Sequence, residues 1–203
     1  KSREAMHPIA RQALLTRLER DAPYPYYYAV WLELLSETER RLVRYLYDGH
    51  FTQPLSDAGF GWRAVQRPGV SVERFAAPAV GGGRALRVQL AAVAQPGPLV
   101  SQALMLGPGR YRLSGEVLLR GLYARGGVEW RLLCAEQANR LPLATGPAWF
   151  GDAAWQNFGL DFKFGVECQR PLLQLALRAA RQTTAAPQGE LWLNRLNLQR
   201  VGG

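Results

Sequence analysis

Glycine is absent from the first 48 residues of this chain, and all 21 glycines lie from Gly49 onward. A segment without glycine avoids the roughly 1 kcal/mol that each helical glycine costs. A glycine-rich segment holds the residue that tight hairpin turns need at positive φ. The same point divides the aromatic residues, since six of eight tyrosines precede Asp48 and all seven phenylalanines follow His50. Residues 1–48 carry 8 basic and 7 acidic side chains, which leaves +8 of the net +9 on the remainder. Two kinds of structure therefore meet near Asp48-Gly49: a helical segment over 1–48 and a β domain over 49–203.

The first part reads as two to three helices. Ile9, Ala13, Leu14 and Leu18 recur at helical spacing, with Arg11, Arg17, Glu19 and Arg20 on the polar side. Asp21-Ala22-Pro23-Tyr24-Pro25 stops that helix and suits the first turn of the next. Tyr27, Val30, Trp31, Leu34 and Leu35 form a second apolar stripe, and Ser36-Glu37-Thr38-Glu39 matches a capping box ahead of Leu42, Val43 and Leu46. The cluster Tyr24, Tyr26, Tyr27, Tyr28 and Trp31 is read as packing against a neighbouring layer, with a ligand platform as the alternative.

From Gly49 the apolar period becomes two. Strands are expected near 60–66, 70–76, 84–92, 99–106, 110–120, 128–136, 156–164, 171–179 and 189–199, separated by Gly- and Pro-bearing turns such as Arg67-Pro68-Gly69 and Gly107-Pro108-Gly109. Phe158, Leu160, Phe162 and Phe164 oppose Asn157, Asp161 and Lys163, and the parity change between Leu193 and Leu196 predicts a bulge near Asn194-Arg195. Eight or nine strands without intervening helices predict an antiparallel jelly-roll β-sandwich, so the fold class is mainly β with a short α-helical start.

Four segments resemble one family. Leu46-Tyr47-Asp48-Gly49-His50-Phe51-Thr52-Gln53-Pro54 is similar to the opening strand of bacterial carbohydrate-binding jelly rolls of the CenC-like, galactose-binding-like class. Gly189 to Leu198 resembles their closing strand, and Gly83 to Val88 and Leu106 to Gly115 resemble two internal strands. The helical start is loosely similar to the end of a helical-repeat array in bacterial envelope proteins. The resemblance implies a carbohydrate-binding sandwich. Many such modules hold a structural calcium with an acidic residue in the opening strand and an aspartate in the closing one; Thr52 and Asn194 stand at those positions here. Calcium prefers carboxylates among its oxygens, so no metal and no cofactor is expected.

Other chemistry is poorly supplied. The two histidines, His7 and His50, come without a GxSxG motif or any His/Cys/Asp cluster at ligand spacing, which argues against nucleophilic and metal-dependent hydrolysis. Gly81-Gly82-Gly83-Arg84 lacks the Lys-Ser/Thr and the helix of a phosphate loop. Glu116, Glu129 and Asp161 could form a carboxylate pair across a cleft, but neighbouring basic residues make surface ion pairing an equal reading. The expectation is no enzyme. The 23 arginines do not cluster, the longest run being Arg40-Arg41, so no nucleic-acid partner is expected. No stretch approaches 18 uninterrupted apolar residues, and no membrane span is expected.

Cys134 shares parity with Trp130 and Leu132, and Cys168 follows the phenylalanine strand in a connection that can turn toward it. A Cys134–Cys168 disulfide is expected, two buried thiols being the alternative; the bridge would fit a periplasmic or secreted protein. Sugar binding needs an aromatic platform and planar polar groups. Trp62 and Trp130 read as core, whereas Trp149 and Trp155 flank the loop 150–154 and are the ligand candidates. Trp155, Asn157, Asp161 and Lys163 share one strand face. The expected function is a non-catalytic module that recognises a polysaccharide or glycan on an open sheet face. The alternative is a structural or protein-interaction domain of an envelope or exopolysaccharide assembly, docking a protein partner through its helices. An aromatic strip on the sheet face discriminates for the first, and an exposed stripe of Tyr27, Trp31 and Leu35 for the second.

Overall fold

The computed structural model describes residues 6–78, 83–124, 126–137, 141–179 and 186–202. Three helices, α1 (Pro8–Asp21), α2 (Tyr24–Leu34) and α3 (Glu37–Arg40), precede ten strands. These are β1 (Arg63–Ala64), β2 (Val70–Ala76), β3 (Arg84–Leu90), β4 (Gly97–Ala103), β5 (Gly109–Tyr123), β6 (Val128–Cys134), β7 (Ala144–Thr145), β8 (Gly151–Phe164), β9 (Pro171–Leu177) and β10 (Gln188–Arg200). Two five-stranded sheets face each other, one in the order β1-β4-β9-β6-β7 and the other in the order β2-β3-β10-β5-β8. Every pairing is antiparallel. The expected jelly-roll sandwich is therefore the fold.

The alternation read from the sequence is what fills the sandwich. Leu86 and Val88, Leu113 and Val117, Trp130 and Leu132, Phe158 to Phe164 at every second position, Leu173 and Leu175, and Leu191 and Leu193 meet between the sheets. Burying one such side chain contributes about 2 kcal/mol, so this stripe outweighs any local propensity. The register of β10 against β5 shifts between Asn194 and Asn197, where Arg195 has φ 50°, the bulge that the parity change predicts. β8 starts five residues earlier than expected. Register shifts between Val117 and Leu122 break the alternation there and hide its first residues.

The helical segment is bonded to the sandwich. Leu15, Tyr24, Tyr27, Trp31 and Leu35 form a second core with Tyr47, Ala58 and Phe60, against which Ala103 and Met105 of the β4 end pack. Arg63 clamps the Glu19 carboxylate with both Nη atoms at 2.9 Å, and Arg170 donates to the Glu19 carbonyl at 3.0 Å. The Tyr24 hydroxyl donates to Leu104 O at 2.8 Å. Burial, then the nearby Glu19 carboxylate, pushes the Tyr27 hydroxyl up to about 12. The tyrosine-rich cluster is thus packing for Tyr24 and Tyr27, while Tyr26 points out. The stripe expected on α1 is rotated: Leu15 is buried and Ile9 is exposed, because α1 meets the sandwich only through its second half. The Ser36–Glu39 capping box forms, but its helix ends at Arg40, with Leu42 and Val43 in turns.

Residues 46–54 pack as a loop rather than a strand. Asp48, at φ 48° and 2% exposed, accepts from Thr52 N, Thr52 Oγ1 and Gln53 N at 2.9, 2.8 and 2.7 Å. Leu196 N–H donates to Gly49 O at 2.9 Å. A Cβ at Gly49 would run into the Leu196 carbonyl, so this position requires glycine for the close approach of two backbones.

Candidate functional site

The outer face of the β2-β3-β10-β5-β8 sheet carries a row that crosses all five of its strands. Phe75 on β2 lies 6.0 Å from the ring of Trp192 on β10, with the Arg87 guanidinium 4.3 Å above the Phe75 ring and 5.8 Å from Trp192. Arg120 on β5 approaches Trp192 from the other side at 5.9 Å. Leu118 pairs with Trp192 in register, and Trp155 on β8 packs against the cluster that Ala85, Leu118 and Trp192 form. Arg87 is held by Glu73 at 3.1 Å and Glu190 at 3.7 Å, so the guanidinium is fixed as it spans the two rings. Cation–π contacts of this kind contribute about 0.5–1 kcal/mol each where partly exposed.

Of the residues read from the sequence, Trp155, Asn157, Asp161 and Lys163 lie on this face, and Trp149 does not. The Trp155 indole donates to Pro78 O at 2.9 Å, which holds the half-buried ring in place. Asn157 is exposed opposite Glu116. Asp161 pairs with Arg112 at 3.1 Å, and Lys163 is exposed opposite Arg110. Trp149 is 7% exposed and packs edge-on against Phe158 at 4.9 Å between the sheets. Its backbone pairs with Val128, which turns the ring inward and places it in the core instead of at a ligand. Trp62 and Trp130 are core as expected. Phe75, Arg87, Arg120 and Trp192 were missed; the signal for Trp192 was its parity opposite Leu191 and Leu193 within β10.

The opposite outer face presents a polar row in register across all five strands: Arg63, Ser101, Gln174, Arg131 and Thr145. Arg63 is engaged by Glu19 and Arg131 by Glu129 at 2.8 Å, leaving Ser101, Gln174 and Thr145 to face outward without an aromatic ring beside them in the row. The three strand carboxylates do not face one another. Glu116 pairs with Arg195 at 2.9 Å and Asp161 with Arg112 on one face, while Glu129, 6% exposed, lies on the other between Arg131 and Arg178.

The corner between the 46–54 loop and β10 does not suit a calcium ion, which wants six to eight oxygens including carboxylates. The Phe51 and Thr52 carbonyls accept from Arg74 Nη1 at 3.4 and 3.0 Å. Asn194 Oδ1 accepts the Arg195 N–H at 2.7 Å, and the Asp48 carboxylate is spent on its three donors. A guanidinium at the carbonyl pair repels a dication. Cys134 and Cys168 are bonded to each other, so the sulfurs beside Glu136 are not thiolate ligands, and Glu136 itself accepts from Gln169 N and Arg170 N.

No family model matches the chain, and no curated protein matches it in sequence. Solved structures do match in fold. A family 4 carbohydrate-binding module aligns over 77% of this chain and 99% of its own at 12% identity, with a TM-score of 0.56. A proposed sugar-binding protein from Bacteroides thetaiotaomicron aligns over 78% and 100% at 8% identity, TM-score 0.55. The CBM22-1 xylan-binding domain from Paenibacillus barcinonensis aligns over 74% and 90% at 18% identity, TM-score 0.50. The fold shared with these modules is the one that the sequence resemblance implied.

Proposed function

We propose that this chain is a non-catalytic module that binds a polysaccharide or glycan on the outer face of the β2-β3-β10-β5-β8 sheet, in the periplasm or outside the cell. The observation that carries the reading is the row from Phe75, 38% exposed, through the Arg87 and Arg120 guanidiniums to half-buried Trp155 and exposed Asn157; Trp192 and Leu118, 6 and 8% exposed, are the packed bed beneath it and not contact surfaces. Strands lie about 4.8 Å apart, so a row from β2 to β8 runs for roughly 19 Å, enough for a short run of sugar rings. Apolar ring faces stack on pyranose C–H faces while the amide and guanidinium groups take hydroxyls. The alternative, docking of a protein through the helices, loses its support because Tyr27, Trp31 and Leu35 are 1, 3 and 6% exposed. The neighbours' sugar-binding descriptions and the disulfide are consistent with the ligand class and with an oxidising compartment.

Affinity electrophoresis through gels containing neutral or acidic polysaccharides tests this. The wild-type chain is expected to be retarded by at least one polymer. Trp155→Ala, with an unchanged circular dichroism spectrum, should weaken that binding roughly tenfold, the worth of one aromatic platform. Gln174→Ala on the opposite face should leave it unchanged. No retardation by any polymer, or loss with Gln174→Ala and not with Trp155→Ala, would overturn the assignment of this face.

A further inference from the structure

A cleft of about 350 Å³ opens where the helices meet the sandwich, away from both sheet faces. Its floor is Leu15, Trp31 and Tyr47, at 3, 3 and 8% exposure, and its rim carries Arg11, Glu39 and the 53–58 loop with Gln53 and Asp57. Tyr47 is held rigidly. Its backbone N–H and carbonyl are both bonded to the Gln102 side-chain amide at 2.9 Å, and its ring meets Trp31 edge-on at 5.3 Å.

The polar ends of these two rings have no partner. Among the described residues, neither the Tyr47 hydroxyl nor the Trp31 indole N–H makes a hydrogen bond, and neither atom is sealed from solvent. Tyr24, Tyr111 and Trp62 are paired, to Leu104 O, Gly107 O and Asp48 O, whereas the Trp130 indole N–H is sealed in the core without a partner and out of reach of any ligand. Burial raises the Tyr47 hydroxyl well above its ordinary value, the Glu39 and Asp48 carboxylates raise it further and Arg11 opposes; Tyr47, Arg11 and Glu39 line the same cleft. Arg11 and Glu39 lie 3.6 Å apart there. Donors that solvent reaches and that the chain does not pair are free to exchange water for a ligand acceptor.

We infer that this cleft is a second binding site, one that takes a single neutral sugar unit or disaccharide such as a glycan terminus. The floor offers an apolar surface to one face of a pyranose. Tyr47 and Trp31 supply donors, and Asp57 and Gln53 supply acceptors at the rim, the alternation that a ring of hydroxyls matches. Two carboxylates against one guanidinium disfavour a uronic acid or a phosphate. A cleft of this size is at the small end of ligand pockets, which suits one or two rings rather than the middle of a chain. The site depends on α1, α2 and α3, and it is independent of the sheet-face row proposed above.

Isothermal titration of the full chain with glucose, galactose, mannose, cellobiose and xylobiose, beside glucuronic acid and inorganic phosphate, tests the inference. At least one neutral sugar is expected to bind, and the acids to bind at least tenfold more weakly. Tyr47→Phe should weaken the neutral sugar about tenfold, one hydrogen bond's worth, while leaving the melting temperature unchanged or higher, because the hydroxyl has no native partner. Gln174→Ala should leave the sugar titration unchanged, and Tyr47→Phe should leave retardation by polysaccharide gels unchanged, which separates failure of this site from failure of the sheet face. Absence of binding by every neutral sugar overturns the inference. So does equal binding to Tyr47→Phe, preference for the acids, or loss of binding with Gln174→Ala.

Discussion

Replacing Cys134 and Cys168 together by alanine removes a bridge between residues 34 positions apart in the chain. Holding those ends together in the unfolded ensemble costs it conformational freedom, which the chain-entropy model puts at about 3.8 kcal/mol for a loop of this size. Both sulfurs are buried, at 0 and 4% exposure, so the alanines also leave a small void worth roughly 1 kcal/mol. The native geometry opposes little of this, since Cys134 already faces Pro171 in the β6–β9 register and the two Cα atoms are 5.7 Å apart. The expected loss is about 4 to 5 kcal/mol, a large share of the 5–15 kcal/mol that holds most domains folded. Urea titrations of both proteins at neutral pH measure it. The double variant should show a lower midpoint and a larger m-value, because its unfolded chain is more expanded. The wild-type chain with reductant should move most of the way, stopping short of the double variant by the roughly 1 kcal/mol of the void. A loss below about 1 kcal/mol would refute the reasoning. It would mean that the 134–168 segment, which includes β7 and β8, is already closed in the unfolded state.

Two further outcomes follow from buried polar groups. Tyr27 is neutral in both folded and unfolded chains below its ordinary value of 10.0, and its folded value is about 12, so the unfolded chain ionises first and stability falls as pH rises through that window. Melting temperatures should drop between about pH 10 and 11.5, at up to roughly 1.4 kcal/mol per pH unit for this group, and a flat profile would refute the burial argument. Arg74→Met should destabilise the chain by about 0.5–1 kcal/mol through loss of its bonds to the part-buried Phe51 carbonyl and the exposed Thr52 carbonyl, with neither calcium nor a chelator shifting the wild-type melting curve; a calcium-dependent rise in that curve would contradict the guanidinium's place at this corner.

The helical start, most strand positions, the bulge at Asn194-Arg195 and the pairing of Cys134 with Cys168 were legible in the chain. Each is a consequence of a period or a turn residue that acts over a few positions. Strand alternation puts Phe158 and Asn157 on opposite faces whatever the neighbouring strands are. The first residues of β8 were not legible, because register shifts against β5 erase the alternation there. Nor was Trp149, whose inward turn comes from a bridge to Val128 more than 20 residues away in the chain. The two proposed ligand sites depend on such long-range placements to a greater degree still.

What the sequence determined by itself is the kind of surface each strand offers: one apolar side, one polar side, and aromatic residues at stated parities. That follows from a backbone whose side chains alternate regardless of context. Only the tertiary structure decided which of those surfaces meet. The order of strands brings Phe75, Arg87, Trp192, Leu118 and Trp155 into one row from positions up to 117 residues apart, and leaves Gln174 without a ring beside it on the other face. Helix docking then fixes Trp31 against Tyr47 and opens the cleft beside Arg11 and Glu39, where two donors find no acceptor among the described residues. Local periodicity cannot encode either arrangement, because both are set by which distant segments pack together, and that is governed by the burial of the whole apolar surface at once.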